Sequence, residues 1–300
     1  MIYLDRNSEK IKNALDCHVK GLTDYVLKRV EKCGCDELRS ELTKERVIKI
    51  LSEVPESICS IISKREENLN FLLHENYKSR IAKIFNYSAW IKINESTEKY
   101  TAYSLADNLD VRTCSYCNRL YTKTVKGKKN KITRPEFDHW LPKQKYPLYA
   151  LSFYNLIPSC HVCNSNVKGS SEFNLIDHLH PYIDKTNGIK FSFYNKETES
   201  YAFEIIPSNK KEEKTINAFQ LEEIYKTHVD EIEDLVSIKK KYPESYINSL
   251  KSILKKSNSY TSTNEIYRLA FGVHYSDEDF HKRPLSKMKK DILKELRIIK

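Results

Sequence analysis

Two groups of residues in this chain have types and spacings that could do chemistry. The first is a pair of C-x-x-C turns, Cys114-Ser-Tyr-Cys117 and Cys160-His-Val-Cys163. Each turn can span one edge of a tetrahedron, so the four thiolates together fit a zinc ion. Four protein ligands leave no open coordination position, which makes such a zinc structural. A site of this kind contributes on the order of 10 kcal/mol to folding. The competing reading is two unrelated pairs of buried thiols. His161, between two of the cysteines, is expected at the surface. The second group begins in EFDHWLP, residues 136–142, where Asp138 and His139 sit side by side in an apolar run. Burying both is costly unless partners satisfy them. A carboxylate beside a histidine can hold a hard cation while the imidazole takes a proton from water. Asn155, Asn164 and Lys168-Gly169 follow, and Asn164 directly succeeds Cys163, so a metal on that cysteine would fix its position. The plainer alternative is a structural Asp–His pair beside the zinc.

These residues need elements to hold them. Over roughly 8–100 the pattern is helical, with Ile11, Leu15, Val19, Leu22, Val26 and Val30 recurring every three or four positions and Gly34 where a helix would stop. Further helical stretches are expected in ERVIKILSEV, ESICSIISK and LNFLLHENYKSRIAKIF. After the cysteine-rich segment, IKFSFYNKETESYAFEII alternates apolar and polar residues about a polar turn, which predicts a β-hairpin with Ile189, Phe191 and Phe193 facing Tyr201, Phe203 and Ile205. The last third is helical again, with a stripe of Leu221, Ile224, Tyr225, His228, Ile232, Leu235 and Val236. On that stripe His228 reads as a satisfied core histidine. Cys17, His18, Cys33 and Cys35 raise a second metal site as an alternative, but their tight spacing makes tetrahedral geometry awkward and helix-borne free thiols are the better reading.

The 300 residues are 40% hydrophobic with well-mixed charges, enough for one to three globular domains. No run of eighteen apolar residues suggests a membrane span, and MIYLDRNSEK lacks the apolar stretch of a secretory signal, so a cytoplasmic protein is expected. In that reducing compartment, paired cysteines point to metal more than to disulfides. The net charge of +10 favours a polyanionic partner, nucleic acid ahead of membrane. Lys126, Lys128 and Lys129 in KTVKGKKNKITR, together with Lys168, are candidate phosphate contacts; Arg119, Lys143 and Lys145 are weaker ones. A solvated loop is the alternative.

The segment RPEFDHWLPKQKYPLYALSFYNLIPSCHVCNSNVKGS resembles an HNH endonuclease core, the ββα-metal or His-Me finger, over about residues 112–170. The resemblance implies that Asp138 ligates a divalent cation, Mg2+ or Mn2+, and that His139 is the general base that activates water. It implies that Asn155 orients the histidine's loop. Asn164 stands where the motif's final histidine would be and supplies the second metal ligand. Glu136 could also approach the metal, and His178 and His180 could touch substrate, although surface and loop roles suit these three better. More loosely, the flanks, including MIYLDRN and RPLSKMKKDI, are similar to nuclease subunits of bacterial anti-phage operons of the Septu type, where an ATPase accompanies an HNH protein. The expected fold is therefore α+β and mostly helical. A helical region (1–100) precedes a zinc-stabilised HNH core (101–185), and a β-hairpin with a helical region (186–300) follows. The expected function is hydrolysis of DNA. The alternative is a catalytically silent zinc-knuckle module that binds nucleic acid or a partner.

Overall fold

The computed structural model describes residues 1–64, 71–93, 99–127, 131–185, 188–197, 200–241, 248–249, 252 and 262–299. They form an α+β protein, largely helical, in which the strands pair as two-stranded antiparallel sheets. Contacts divide the chain into two units. One comprises Leu4–Val111 and Thr122–Asp184; the other comprises Met1–Tyr3, Arg112–Tyr121 and Lys185–Lys300. The residues expected as one module, 101–185, are thus shared between the two units. Among the described residues no helix is long and apolar enough to cross a membrane.

The unit built from Leu4–Val111 and Thr122–Asp184 starts with α1 (Glu9–Glu31), capped where the Ser8 hydroxyl accepts from Ile11 N. Then come α2 (Asp36–Glu41), α3 (Lys44–Ser52), α4 (Pro55–Lys64), α5 (Glu75–Ile84), α6 (Tyr87–Trp90) and α7 (Ala102–Leu109). The chain leaves α1 through Gly34 at φ +65°, a backbone that glycine adopts without a Cβ penalty. The helical period expected for α1 is present, but its buried face is shifted. Ala14 and His18 lie in the core with Ile11, Leu22, Val26 and Val30, while Leu15 and Val19 line an open cleft with Lys44, Ile48 and Ser52 of α3. His18 takes a core position because its Nε2–H donates to Leu151 O at 2.8 Å, and the rings of Trp90, Tyr100 and Phe153 meet it edge-on. Gly21 makes room for that packing, since a Cβ there would stand 2.3 Å from the Tyr100 ring.

Four short strands follow in this unit. β1 (Val125–Lys126) pairs with β2 (Lys131–Thr133). β3 (Glu136–His139) pairs antiparallel with β4 (Leu156–Ser159), with Asp138 opposite Ile157 and His139 opposite Leu156. After β4 the chain makes a π-helical turn, Val162–Lys168, ended by Gly169 at φ +52°.

In the other unit, β5 (Lys190–Glu197) and β6 (Ser200–Ile206) form the expected hairpin. Phe191 faces Ile205, Phe193 faces Phe203 and Asn195 faces Tyr201. The helices are α8 (Lys210–Ala218), α9 (Leu221–Lys226), α10 (Val229–Lys241), α11 (Thr263–Phe271) and α12 (Ser286–Glu295). α12 packs on β5, and α9 and α10 pack on β6. The stripe from Leu221 to Val236 is split between two helices, with Thr227 and His228 at the break. His228 is half-buried, and its Nε2 has no hydrogen-bond partner, so it is not the satisfied core histidine expected. Two end segments acquire a structural role in this unit: Ile2 N donates to Ser115 O at 2.7 Å, and Leu285 N to Asn118 O at 2.7 Å.

Burial pushes the pKa of His18 down to about 4, against a smaller upward effect of the Leu151 carbonyl. The unfolded chain takes up that proton near its ordinary value of 6.5, the folded chain only near 4. Between those values the unfolded state holds more protons, so stability falls as pH falls, by about 3 kcal/mol in all. Urea unfolding at steps from pH 7 to 4 should show this loss. In His18→Gln, whose amide can still donate to Leu151 O, the loss should shrink by that amount; an unchanged pH dependence would show that His18 is not its source.

Candidate active site

β3 is four residues long, and strand geometry sends alternate side chains to opposite faces. Phe137 and His139 point one way, Glu136 and Asp138 the other, and each face meets different partners. On the first face, His139 is buried, with its ring 4.4 Å from the Tyr87 ring in an edge-on contact. Its Nε2 lies 3.0 Å from Ala150 O. A carbonyl oxygen can only accept, so Nε2 carries the proton and Nδ1 keeps the lone pair. Burial first, then the positive charge of Lys143, lower the His139 pKa to about 3, with Lys168 adding a little and the Ala150 carbonyl opposing. The imidazole is therefore neutral across the physiological range. Tyr87 also donates to Phe137 O at 3.4 Å, and burial raises its pKa to about 12.

Asn155 ties down the loop that holds this histidine. Its Oδ1 accepts from Leu141 N at 2.7 Å, and its Nδ2 donates to Leu141 O at 3.2 Å and to Tyr149 O at 3.0 Å. The amide thus closes both ends of the segment 141–149, next to the Ala150 carbonyl that receives His139. Trp140 N donates to Asn155 O at 3.0 Å and extends the β3–β4 pairing by one step.

On the other face, Glu136 gathers three donors: His161 Nδ1 at 2.8 Å, Asn164 Nδ2 at 2.7 Å and Ser165 Oγ at 3.2 Å. Burial alone would raise this carboxyl, but the hydrogen bonds from Asn164 and His161 outweigh it and hold its pKa below the usual range. Asp138 has an ion pair with Lys168, at 3.2 Å from Nζ to Oδ1, and the two side chains are 2% and 0% exposed. Lys168 Nζ also donates to His139 O at 2.8 Å. The surface phosphate contact expected of Lys168 therefore has no exposed ammonium to make it. Asn164 Nδ2 donates to Glu136, so the amide is engaged on this face by the carboxylate two residues before Asp138. The donors on this face are hard oxygens, the set that Mg2+ or Mn2+ prefers.

The Sγ atoms of Cys114, Cys117, Cys160 and Cys163 lie within 4.8 Å of one another, all four buried, and could hold a metal ion. Tetrahedral zinc with thiolates at about 2.3 Å asks for sulfur–sulfur edges of about 3.8 Å, so the spacing suits it. Around the first pair, Asn118 takes φ +50° and Arg119 N points at Cys117 Sγ at 3.4 Å. Asn118 Nδ2 donates to Thr113 Oγ1, Phe280 O and Arg283 O, and Tyr225 OH donates to Cys117 O. After the second pair begins, Asn164 N donates to Cys160 O at 3.0 Å, one α-type bond at the entry to the π-helical turn.

The remaining candidates are dispersed. Lys126 is exposed and ion-paired with Asp107, and Lys145 with Glu172. Lys128 and Lys129 lie outside the described residues. Lys143 is half-buried over the Tyr87 ring, and burial lowers its pKa. Arg119 is half-buried. His178 stacks on Phe173, and His180 is buried against Trp140. Cys17 is exposed, Cys33 is half-buried, and the Cys35 thiol donates to Glu37. Sequence reasoning missed Tyr87, the Ala150 carbonyl and the burial of Lys168. Only the last left a trace, as the four-residue spacing of Asn164 and Lys168.

No family model matches the chain, and no solved structure matches it. Part of it is similar to Protein ea31 of Escherichia phage lambda, at 42% identity over 50 residues. That stretch is 16% of this chain and 17% of the phage protein, too little of either to carry an activity across.

Asn155→Ala removes three buried hydrogen bonds and should cost about 3 kcal/mol in urea unfolding. Its effect should extend to His139. The ring 15N signals of His139 should report a single Nε2–H tautomer in the wild type and a tautomer mixture in the variant, whose loop is released. A variant as stable as the wild type, with an unchanged tautomer, would contradict the clamp.

Proposed function

We propose that this chain is a metal-dependent endonuclease of the HNH type that hydrolyses phosphodiester bonds in DNA. The observation that carries the reading is the 3.0 Å contact of His139 Nε2 with Ala150 O: a carbonyl only accepts, so Nε2 holds the proton and Nδ1 is left to accept one from water. Its depressed pKa makes it a weak base in the free protein. An arriving phosphodiester brings negative charge, which shifts that pKa upward and strengthens the base when substrate is present. Asn155 holds the loop so that this orientation is kept. Asp138 and Asn164, with Glu136 beside them, would hold the Mg2+ or Mn2+. When bound, such a cation withdraws charge from the phosphate oxygens and the leaving group. The four cysteines take zinc as a structural ion. The surplus of positive charge, with Lys126, Lys128 and Lys129 close together in sequence, draws the nucleic acid. The chain would act as the effector of a bacterial anti-phage system, with helical flanks docking an ATPase that controls cutting.

A second reading is a silent zinc-knuckle module that binds nucleic acid or a partner. The observation in its favour is that Asp138 is engaged by Lys168 and Asn164 by Glu136.

His139→Ala separates the two. The variant should remain folded, keep its zinc by metal analysis and lose plasmid cleavage by at least about 100-fold, the usual scale of general-base help. Cleavage at the wild-type rate would rule out His139 as the base. Removing zinc with a chelator, or replacing Cys160 with Ser, should instead lower the thermal unfolding midpoint; an unchanged midpoint would leave the cysteine cluster without a structural metal.

A further inference from the structure

Asp138 stands where a cation is wanted, and the chain already supplies one. Strand alternation puts Glu136 and Asp138 on one face of β3. In the π-helical turn, closed by Gly169 N on Asn164 O at 2.9 Å, residues four apart fall on one face, so Asn164 and Lys168 project together. The two rows meet in order, Asn164 on Glu136 and Lys168 on Asp138. The Lys168 ammonium lies 3.2 Å from Asp138 Oδ1 and 2.8 Å from His139 O, and none of its side chain is exposed. The Phe173 ring, 5.1 Å away, covers it. A divalent ion bound through the same carboxylate would meet that ammonium within a few ångströms. Buried like charges at such a distance repel with little screening by solvent or salt.

We propose that Lys168 is the resident counter-ion of Asp138 and competes with a divalent metal for it. Metal binding at this corner then requires the ammonium to leave the carboxylate. The proposal rests on reading Asp138 as a cation ligand. It makes Lys168 a positioning residue, which holds Asp138 and the end of β3 in place while no metal is bound. Once displaced, its charge becomes available to an anionic substrate.

The test uses the full chain with zinc loaded, titrated with Mn2+ and followed by loss of the free-ion EPR signal. Lys168→Gln should bind Mn2+ at least tenfold more tightly than wild type. Its melting temperature should also rise more on Mn2+ addition, because the metal replaces the missing counter-charge. Affinity equal to or weaker than wild type overturns the proposal. Should Lys168→Gln not fold, the wild type is treated with an amine-acylating reagent and Lys168 is followed by mass spectrometry. Saturating Mn2+ should speed its acylation at least tenfold, and unchanged protection overturns the proposal. Equal Mn2+ binding by both forms, with cleavage intact, removes the competition and leaves the nuclease reading standing. Absence of Mn2+ binding in both removes the two together.

Discussion

A carboxylate taken out of water needs a counter-charge, and for Asp138 it is the ammonium of Lys168. Much of the site's arrangement depends on that pair. Breaking a buried ion pair by removing one partner typically costs about 3–5 kcal/mol, because the other charge is left without compensation. The pair joins β3 to the turn after β4, and through Lys168 it also holds the carbonyl of His139. The π-helical geometry of Val162–Lys168 brings Lys168 to Asp138 and Asn164 to Glu136 at once. Gly169, in a positive-φ conformation, then ends the turn.

The other face of β3 solves the opposite problem. His139 is buried beside positive charges, which favours the neutral ring, and a single carbonyl decides which nitrogen keeps the proton. That carbonyl is fixed only as well as its loop, and Asn155 fixes the loop with bonds at both ends. A four-residue strand therefore presents an acidic face and a face with a neutral imidazole, and Lys168 touches both, through the Asp138 carboxylate and the His139 carbonyl.

Several of these features were legible in the sequence, for identifiable reasons. The C-x-x-C pairs predicted a cluster because thiolate spacing is local, and the four cysteines do come together. The β5–β6 hairpin followed from strict alternation about a polar turn. For α1, periodicity gave the helix but chose Leu15 and Val19 over Ala14 and His18, because no pattern shows that Leu151 O will take the Nε2–H of an inward histidine. The stripe from Leu221 to Val236 kept its apolar positions but not its continuity. Lys168 was misread for a related reason: a lysine is assumed solvated unless a buried acid is known to await it. The partners of His139 were beyond sequence reasoning. Tyr87 is remote in the chain, and Ala150 contributes only a backbone carbonyl, which carries no sequence signal.

The proposed activity is divalent-ion-dependent cleavage of phosphodiester bonds. Its most direct test is incubation of the zinc-loaded wild-type chain with supercoiled plasmid across Mg2+ and Mn2+ concentrations. A nuclease of this kind should convert the plasmid to nicked or linear DNA to an extent that rises with either ion and stops when it is left out. A chain that retards the plasmid on a gel but leaves it supercoiled at every metal concentration is not such a nuclease.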